Sequence, residues 1–169
     1  MIRNATPADF PAIAALQIAS WRSAYAGQLP EEYFGQPIED DLNGNWSRHK
    51  INPRDVVLVN DENGRLTGFI NVLAQQPPYV DNLHVDPDEK GKGIGTTLMA
   101  AAANRLIAQG DTAMCLTVLS TNEPGLKFYE RIGGERGPLK HEHMYDLPVT
   151  SYPMIWHDLP ALAELGVKS

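Results

Sequence analysis

Leu83-His84-Val85-Asp86-Pro87-Asp88-Glu89-Lys90-Gly91-Lys92-Gly93-Ile94-Gly95-Thr96 decides how this chain of 169 residues is read. It runs as the end of a buried strand, a short acidic turn, a basic glycine-rich loop and the start of an apolar-periodic helix. Three glycines at every second position let backbone N–H groups approach a ligand closely. A helix opening at Ile94 aims its unpaired N–H groups and positive dipole end at the same point. The segment therefore describes an anion cradle, and the anion it suggests is a pyrophosphate.

Three cradles compete with a plain strand-to-helix turn that binds nothing. A P-loop needs Gly-Lys-Ser/Thr after four intervening residues, and here no Lys-Ser/Thr pair follows the last glycine. A dinucleotide-binding turn needs its third glycine where Thr96 stands, and a carboxylate at the end of the next strand. Asp111 is at a tempting distance but precedes that strand, Met114 to Leu119, and so cannot reach a ribose.

Working outward, Tyr79 to Val85 is predicted as the central strand, and Thr96 to Gln109 as a helix with Leu98, Ala102 and Leu106 on one face, stopped by Gly110. Met114 to Leu119 is expected to be a strand and Pro124 to Ile132 a helix. Upstream, Asp55 to Val59 and Leu66 to Leu73 form a hairpin about the turn Asp61-Glu62-Asn63-Gly64. Ile2 to Asn4 reads as a short strand, and Thr6 caps a helix with Phe10, Ile13, Leu16 and Trp21 at period 3.6. A further helix is predicted around Ile38 to Lys50, and two late strands near Lys140–Tyr145 and Tyr152–Trp156. No repeat or linker divides the chain, so residues 1–169 are expected to form one α/β domain.

Composition narrows the function classes. Fourteen Lys and Arg against 21 Asp and Glu give a net charge of −7, and no basic stripe suggests a nucleic-acid partner. No apolar run approaches the ~18 residues of a membrane span, and Met1 to Pro7 lack an apolar signal region. The lone Cys115 excludes an internal disulfide, which suits a reducing, cytoplasmic setting.

Lys90-Gly91-Lys92-Gly93-Ile94-Gly95 resembles the acyl-CoA pyrophosphate loop of the GNAT superfamily of N-acyltransferases, Gln/Arg-x-x-Gly-x-Gly/Ala, with Lys90 in place of the planar Gln or Arg. One strand later, Asn122-Glu123-Pro124-Gly125-Leu126-Lys127-Phe128-Tyr129-Glu130-Arg131-Ile132-Gly133 resembles that superfamily's Asn-x-x-Ala-x-x-Phe-Tyr-Glu-Lys-Leu-Gly-Phe helix. Gly125 replaces Ala and Gly134 replaces the final Phe, which predicts a looser helix and a missing packing contact. Trp21-Arg22-x-x-Tyr25-x-Gly27-x-Leu29-Pro30 and Tyr152 to Trp156 are similar to many bacterial members. The resemblance covers nearly the whole chain, most strongly from Asp81 to Gly133.

It implies an α/β fold with a mixed central sheet of about six to seven strands, splayed between the fourth and fifth, and helices on both faces. It also implies acetyl-CoA as co-substrate and acetyl transfer to a primary amine. The backbone of Leu83 and Val85, with His84 between them, would take the pantetheine arm. Lys90, Gly91, Lys92, Gly93, Ile94, Gly95 and Thr96 would hold the pyrophosphate, and Asn122, Gly125 and Phe128 would complete the cofactor site. Tyr129 stands where the superfamily places the acid that protonates the departing thiolate. Leu83 and Val85 equally read as core, Lys92 as a solvated lysine, and Tyr129 as a packed tyrosine.

A lysine-like amine with pKa ~10.4 needs about 4.6 kcal/mol to become neutral at pH 7, so a base is required. If 79, 81, 83 and 85 share one strand face, Asp81 reaches the cleft and acts as base through water, though it equally reads as a solvated strand-end carboxylate. His84 then faces the other side. Cys115, among apolar strand neighbours, favours direct attack in a ternary complex over an acyl-cysteine route. His141, Glu142, His143, Asp146 and His157 complete no metal-ligand spacing and read as a polar strand. Glu31, Glu32, Glu39, Asp40 and Asp41, with the aromatic residues of the N-terminal region and late strands, suggest a small cationic amine as acceptor. Protein-lysine or N-terminal acetylation, a non-catalytic acyl-CoA-binding regulator, and a homodimer through the late strands stay open.

Overall fold

The computed structural model describes residues 1–144 and 146–168. Among the described residues eight strands form one sheet: β1 (Ile2–Asn4), β2 (Val56–Glu62), β3 (Arg65–Leu73), β4 (Tyr79–Val85), β5 (Met114–Leu119), β6 (Glu135–Arg136), β7 (Lys140–Met144) and β8 (Leu147–Trp156). Their order is β1-β2-β3-β4-β5-β8-β6, with β7 also paired to β8. Every pair is antiparallel except β4 with β5. Helices α1 (Phe10–Ala24), α2 (Gln36–Ser47), α3 (Ile94–Ala108), α4 (Glu123–Arg131) and α5 (Leu159–Glu164) surround it.

The run Val56 to Val59 is buried throughout, because both sheet faces are covered. Val56 and Leu58 join Ile70 and Val72 in a core with Leu98, Met99 and Leu106 of α3 and Leu159 and Leu162 of α5. Val57, Val59 and Phe69 point the other way, onto Phe10, Ile13 and Leu16 of α1 and Trp46 of α2. The strand period of two thus sorts one sequence into two cores. Arg3 anchors the N-terminal edge, donating to Asp9 at 2.9 Å and to Asp61 at 3.0 Å. Asp9 also accepts from the Thr6 backbone N–H at 2.8 Å, closing the turn that leads into α1.

The expected strand count rises to eight because the late region holds three strands. β6 is only two residues long, and β7 and β8 form a hairpin. Tyr145, at the end of the strand expected from Lys140, lies outside the described residues. α2 starts two residues ahead of the expected Ile38, since Pro37 fits a first helical turn. α5 was not foreseen; Asp158 caps it by accepting from Ala161 N at 3.0 Å.

β4 departs from regular pairing at one residue. Val80 pairs with Val72 and Asn82 with Asn71, so Asp81 has no partner across from it and forms a bulge. The expected sharing of one face by 79, 81, 83 and 85 therefore fails. Beyond the bulge Leu83 and Val85 join the face of Val80 and pack on the α3 core. His84 lies on the opposite face, its ring 5.5 Å from Phe69 and its Nδ1 2.8 Å from Ser20 Oγ.

Candidate active site

The bulge coincides with a parting of the sheet. β4 and β5 share one register pair, Tyr79 with Cys115, and Cys115 N donates to Pro78 O at 2.9 Å. Past that point the strands diverge, and a cleft of 820 Å³ opens between them. β4 from Tyr79 to Val85 forms one wall; Leu116 to Leu119 of β5 and residues 122–131 around α4 form the other.

The glycine-rich loop lies at one end of this cleft. Gly91 and Gly93 have φ of +83° and +80°, a left-handed backbone that side-chain-bearing residues rarely adopt. That conformation turns the chain into α3 with its N-terminus facing the cleft. Thr97 N is the first to bond back, to Gly93 O at 3.0 Å, so the N–H groups of Ile94, Gly95 and Thr96 have no acceptor within the helix. Gly95 serves packing: a Cβ there would meet the Phe128 ring at 3.2 Å. Asp86 caps the acidic turn, accepting from Asp88 N at 2.9 Å, while Arg65 ties the turn to β3 through Asp86 and Glu89. The loop is thus braced from below, with its amides on the open side.

Of the residues singled out from sequence, Asp81, Leu83, His84, Val85, Lys90, Gly91, Gly93, Ile94, Gly95, Thr96, Asn122, Gly125, Phe128 and Tyr129 all line this one cleft. Lys92 does not. Its ammonium is paired with Glu89 at 2.5 Å, so its side chain belongs to the loop's brace. The His84 side chain is held by Ser20 beneath the sheet, and burial pushes its pKa down to about 4, keeping the ring neutral.

Tyr129 sits on α4 with its ring 5.2 Å from Phe128 and 5.8 Å from Trp156, both edge-on. Burial, and to a lesser degree the neighbouring Tyr25, raise its phenol above the ordinary tyrosine range, so it stays protonated at neutral pH. The Asp81 carboxyl is raised by the protein around it, with His49 opposing that shift. Cys115 does not line this cleft, and burial raises its thiol pKa as well.

The two departures from the α4 motif have local causes. Asn122 Oδ1 caps α4 by accepting from Gly125 N at 3.1 Å, and a Cβ at Gly125 would stand 2.5 Å from Asn122 Nδ2. Opposite Gly134, the Trp156 indole occupies the space: a Cβ there would meet Trp156 Cζ2 at 2.7 Å. The expected missing contact is therefore supplied from β8, and Leu126 of the helix is 1% exposed.

Sequence reading missed several wall residues. Ser20, Thr117, Arg131 and Met144 line the cleft, and the buried Asn71 reaches Asn82 Oδ1 at 3.3 Å beneath it. For Ser20 and Asn71, a polar residue at a buried position of a helix or strand was the available signal. A second cavity of 440 Å³ lies beyond, between the segment after α1 and the β7–β8 hairpin; Tyr25, Leu119 and Met144 line both spaces. Among the described residues no three His, Cys, Asp or Glu side chains form a cluster suited to a metal.

A mixed sheet parted between β4 and β5, with a glycine-rich helix start at the mouth of the gap, is the architecture expected of an acyltransferase. Comparison with known proteins places it more closely. Residues 16–134 match the model of the acetyltransferase (GNAT) family, and the chain belongs to that family. It is 25% identical over 170 residues to the uncharacterized N-acetyltransferase YuaI of Bacillus subtilis, covering 97% of this chain and 96% of YuaI. It is 33% identical over 105 residues to the mycothiol acetyltransferase of Clavibacter sepedonicus, covering 60% of this chain but 33% of that enzyme. In fold it is similar to the PaiA N-acetyltransferase of Thermoplasma acidophilum, solved with coenzyme A, with a TM-score of 0.74, 23% identity and coverage of 93% and 98%. The protein is an acetyltransferase.

Proposed function

We propose that this protein, acting as one cytoplasmic domain, transfers the acetyl group of acetyl-CoA to a primary amine by direct attack in a ternary complex. One observation carries the reading: the open amides of residues 94–96, the parted edge of β4, Asp81 and Tyr129 all face a single continuous cleft. Coenzyme A bound to the similarly folded Thermoplasma protein supports it. Acetyl-CoA supplies a thioester, an activated acyl group.

The amides of the loop and the first turn of α3, with the Lys90 ammonium, hold the pyrophosphate. The backbone of Leu83 and Val85 holds the pantetheine amides while their side chains stay in the core. Asn122, Gly125 and Phe128 close the α4 side. Asp81 accepts the proton of the attacking amine through water, and the Tyr129 hydroxyl donates to the departing sulfur. Cys115, protonated and outside the cleft, has no part in the transfer.

The carboxylates that suggested a cationic acceptor lie elsewhere. Glu39 pairs with Arg22 at 3.6 Å, Asp40 accepts from Gln36 and Asp41 from Tyr33, and neither they nor Glu31 and Glu32 line either cavity. The acceptor is therefore assigned as a primary amine, with Asp81 as the carboxylate nearest its reacting nitrogen. A thiol-release assay with acetyl-CoA across an amine panel tests the activity. Cofactor binding by calorimetry with no thiol release from any amine would reject it in favour of a binding protein.

Two variants probe the assigned parts. Gly93→Ala forces a left-handed alanine, at a cost of roughly 1–2 kcal/mol. If the loop relaxes instead of bearing that strain, the Kd for acetyl-CoA rises about fivefold to thirtyfold; a calorimetric Kd within twofold of wild type would count against the cradle. Asp81→Asn is expected to lower kcat/KM about 100-fold at neutral pH. Its sign with pH is fixed: the base works ionised, and its raised pKa puts the acid limb of the wild-type profile above the ~3.9 of a free aspartate. That limb should vanish in the variant. An identical acid limb in both proteins would remove Asp81 from the reaction.

A further inference from the structure

Among the described residues, the second cavity is apolar where an acceptor would need to sit. Leu29, Leu119, Met144, Pro148 and Val149 line it, with the Tyr25 ring at the passage into the cofactor cleft. Several of its polar groups already have hydrogen-bond partners. Thr121 Oγ1 donates to Gln28 Oε1 at 2.7 Å, and Glu142, its one carboxylate, accepts from the fully buried Ser151 at 2.7 Å. His141 and His143 add no negative charge. A second ammonium placed there would lose water and meet only the solvent-exposed Glu142 carboxylate, whose attraction screening keeps weak. An alkyl or aryl group would lose water and gain contact.

We propose that this cavity is the binding site for the uncharged, apolar body of the acceptor, so that the preferred substrates are aliphatic or arylalkyl primary amines and not polyamines. The inference rests on the acetyl-transfer reading above. It places the reacting nitrogen on the cofactor side of Tyr25, between Asp81 and Tyr129, and the rest of the molecule beyond Leu119 and Met144. The volume of 440 Å³ suits a body of several carbons.

The test measures kcat/KM with acetyl-CoA for n-butylamine, n-hexylamine and 2-phenylethylamine against spermidine and lysine amide. The apolar amines should lead by tenfold or more, with KM falling roughly threefold to fourfold per added methylene. Val149→Trp, filling the cavity, should raise KM for hexylamine at least tenfold and leave KM for acetyl-CoA unchanged; Leu29→Phe repeats the test should the first variant fold poorly. Spermidine leading the panel, or hexylamine insensitive to both variants, would overturn the inference and leave acetyl transfer standing. Faster turnover of hexanoyl-CoA than acetyl-CoA on butylamine, lost in Val149→Trp, would assign the cavity to the acyl chain and also overturn it. Acetyl-CoA binding without thiol release from any amine would overturn both readings.

Discussion

Tyr129→Phe is expected to lower kcat by about 10²- to 10⁴-fold, the range of a lost general acid, with little change in KM for acetyl-CoA. The ring's place depends on its edges against Phe128 and Trp156, which phenylalanine keeps, so the substitution removes only the hydroxyl. That hydroxyl has a pKa above the ordinary ~10 and is fully protonated at neutral pH, which keeps the donor available. The same shift makes it a weak acid toward a thiolate whose conjugate acid lies near ~8.5. Outright transfer is therefore uphill, and the phenol acts mainly by donating a hydrogen bond as charge builds on sulfur, with the proton crossing late. A leaving group more acidic than the coenzyme A thiol needs less of that help, so the deficit should shrink with such an acyl donor. Stopped-flow or steady-state thiol release with the two donors measures both effects. An unchanged kcat in the variant would return Tyr129 to a packing role.

Local signals in the sequence reach as far as elements whose chemistry is contained within them. The strand from Tyr79 to Val85 and the strand from Met114 to Leu119 appear at their expected ends, and both motif helices start within two residues of expectation. The glycine spacing of residues 91–95 implied a tight loop under a helix N-terminus, and the left-handed backbone at Gly91 and Gly93 is its physical form. What could not be read depends on a partner distant in sequence. The bulge at Asp81 exists only relative to Asn71 and Val72 on β3, so a strict alternation along β4 assigned faces wrongly there. The pairing of Lys92 with Glu89 and of Glu39 with Arg22 withdrew charges that composition alone had offered to ligands. The second cavity is built from the segment after α1, the end of β5 and the β7–β8 hairpin, three stretches with no shared pattern. α5 spans only six residues, too short for a helical period to stand out.

Trp156→Ala is expected to be the most damaging single change to stability, by about 3–5 kcal/mol, as for a large aromatic removed from a core. The indole is 2% exposed, and its Nε1 donates to Ile132 O at 3.2 Å, the residue that closes α4. It also fills the space beside Gly134 and stands edge-on to Tyr129. The end of β8 therefore meets both the C-terminal turn of α4 and the α4 phenol proposed as acid through one side chain. The sequence places a glycine where related helices carry phenylalanine, so nothing on α4 itself can refill the void. Alanine leaves a cavity directly behind Tyr129, and the ring gains room to turn away from the cleft. Chemical denaturation should show a lower midpoint with the slope m unchanged. In the folded fraction kcat should fall while KM for acetyl-CoA holds, because the cradle at residues 90–96 rests on β3 and α3 and not on Trp156. Trp156→Phe keeps an aromatic ring in part of the same void and should recover part of both losses. Losses in Trp156→Phe as large as those in Trp156→Ala would show that the void behind Tyr129 is not their cause.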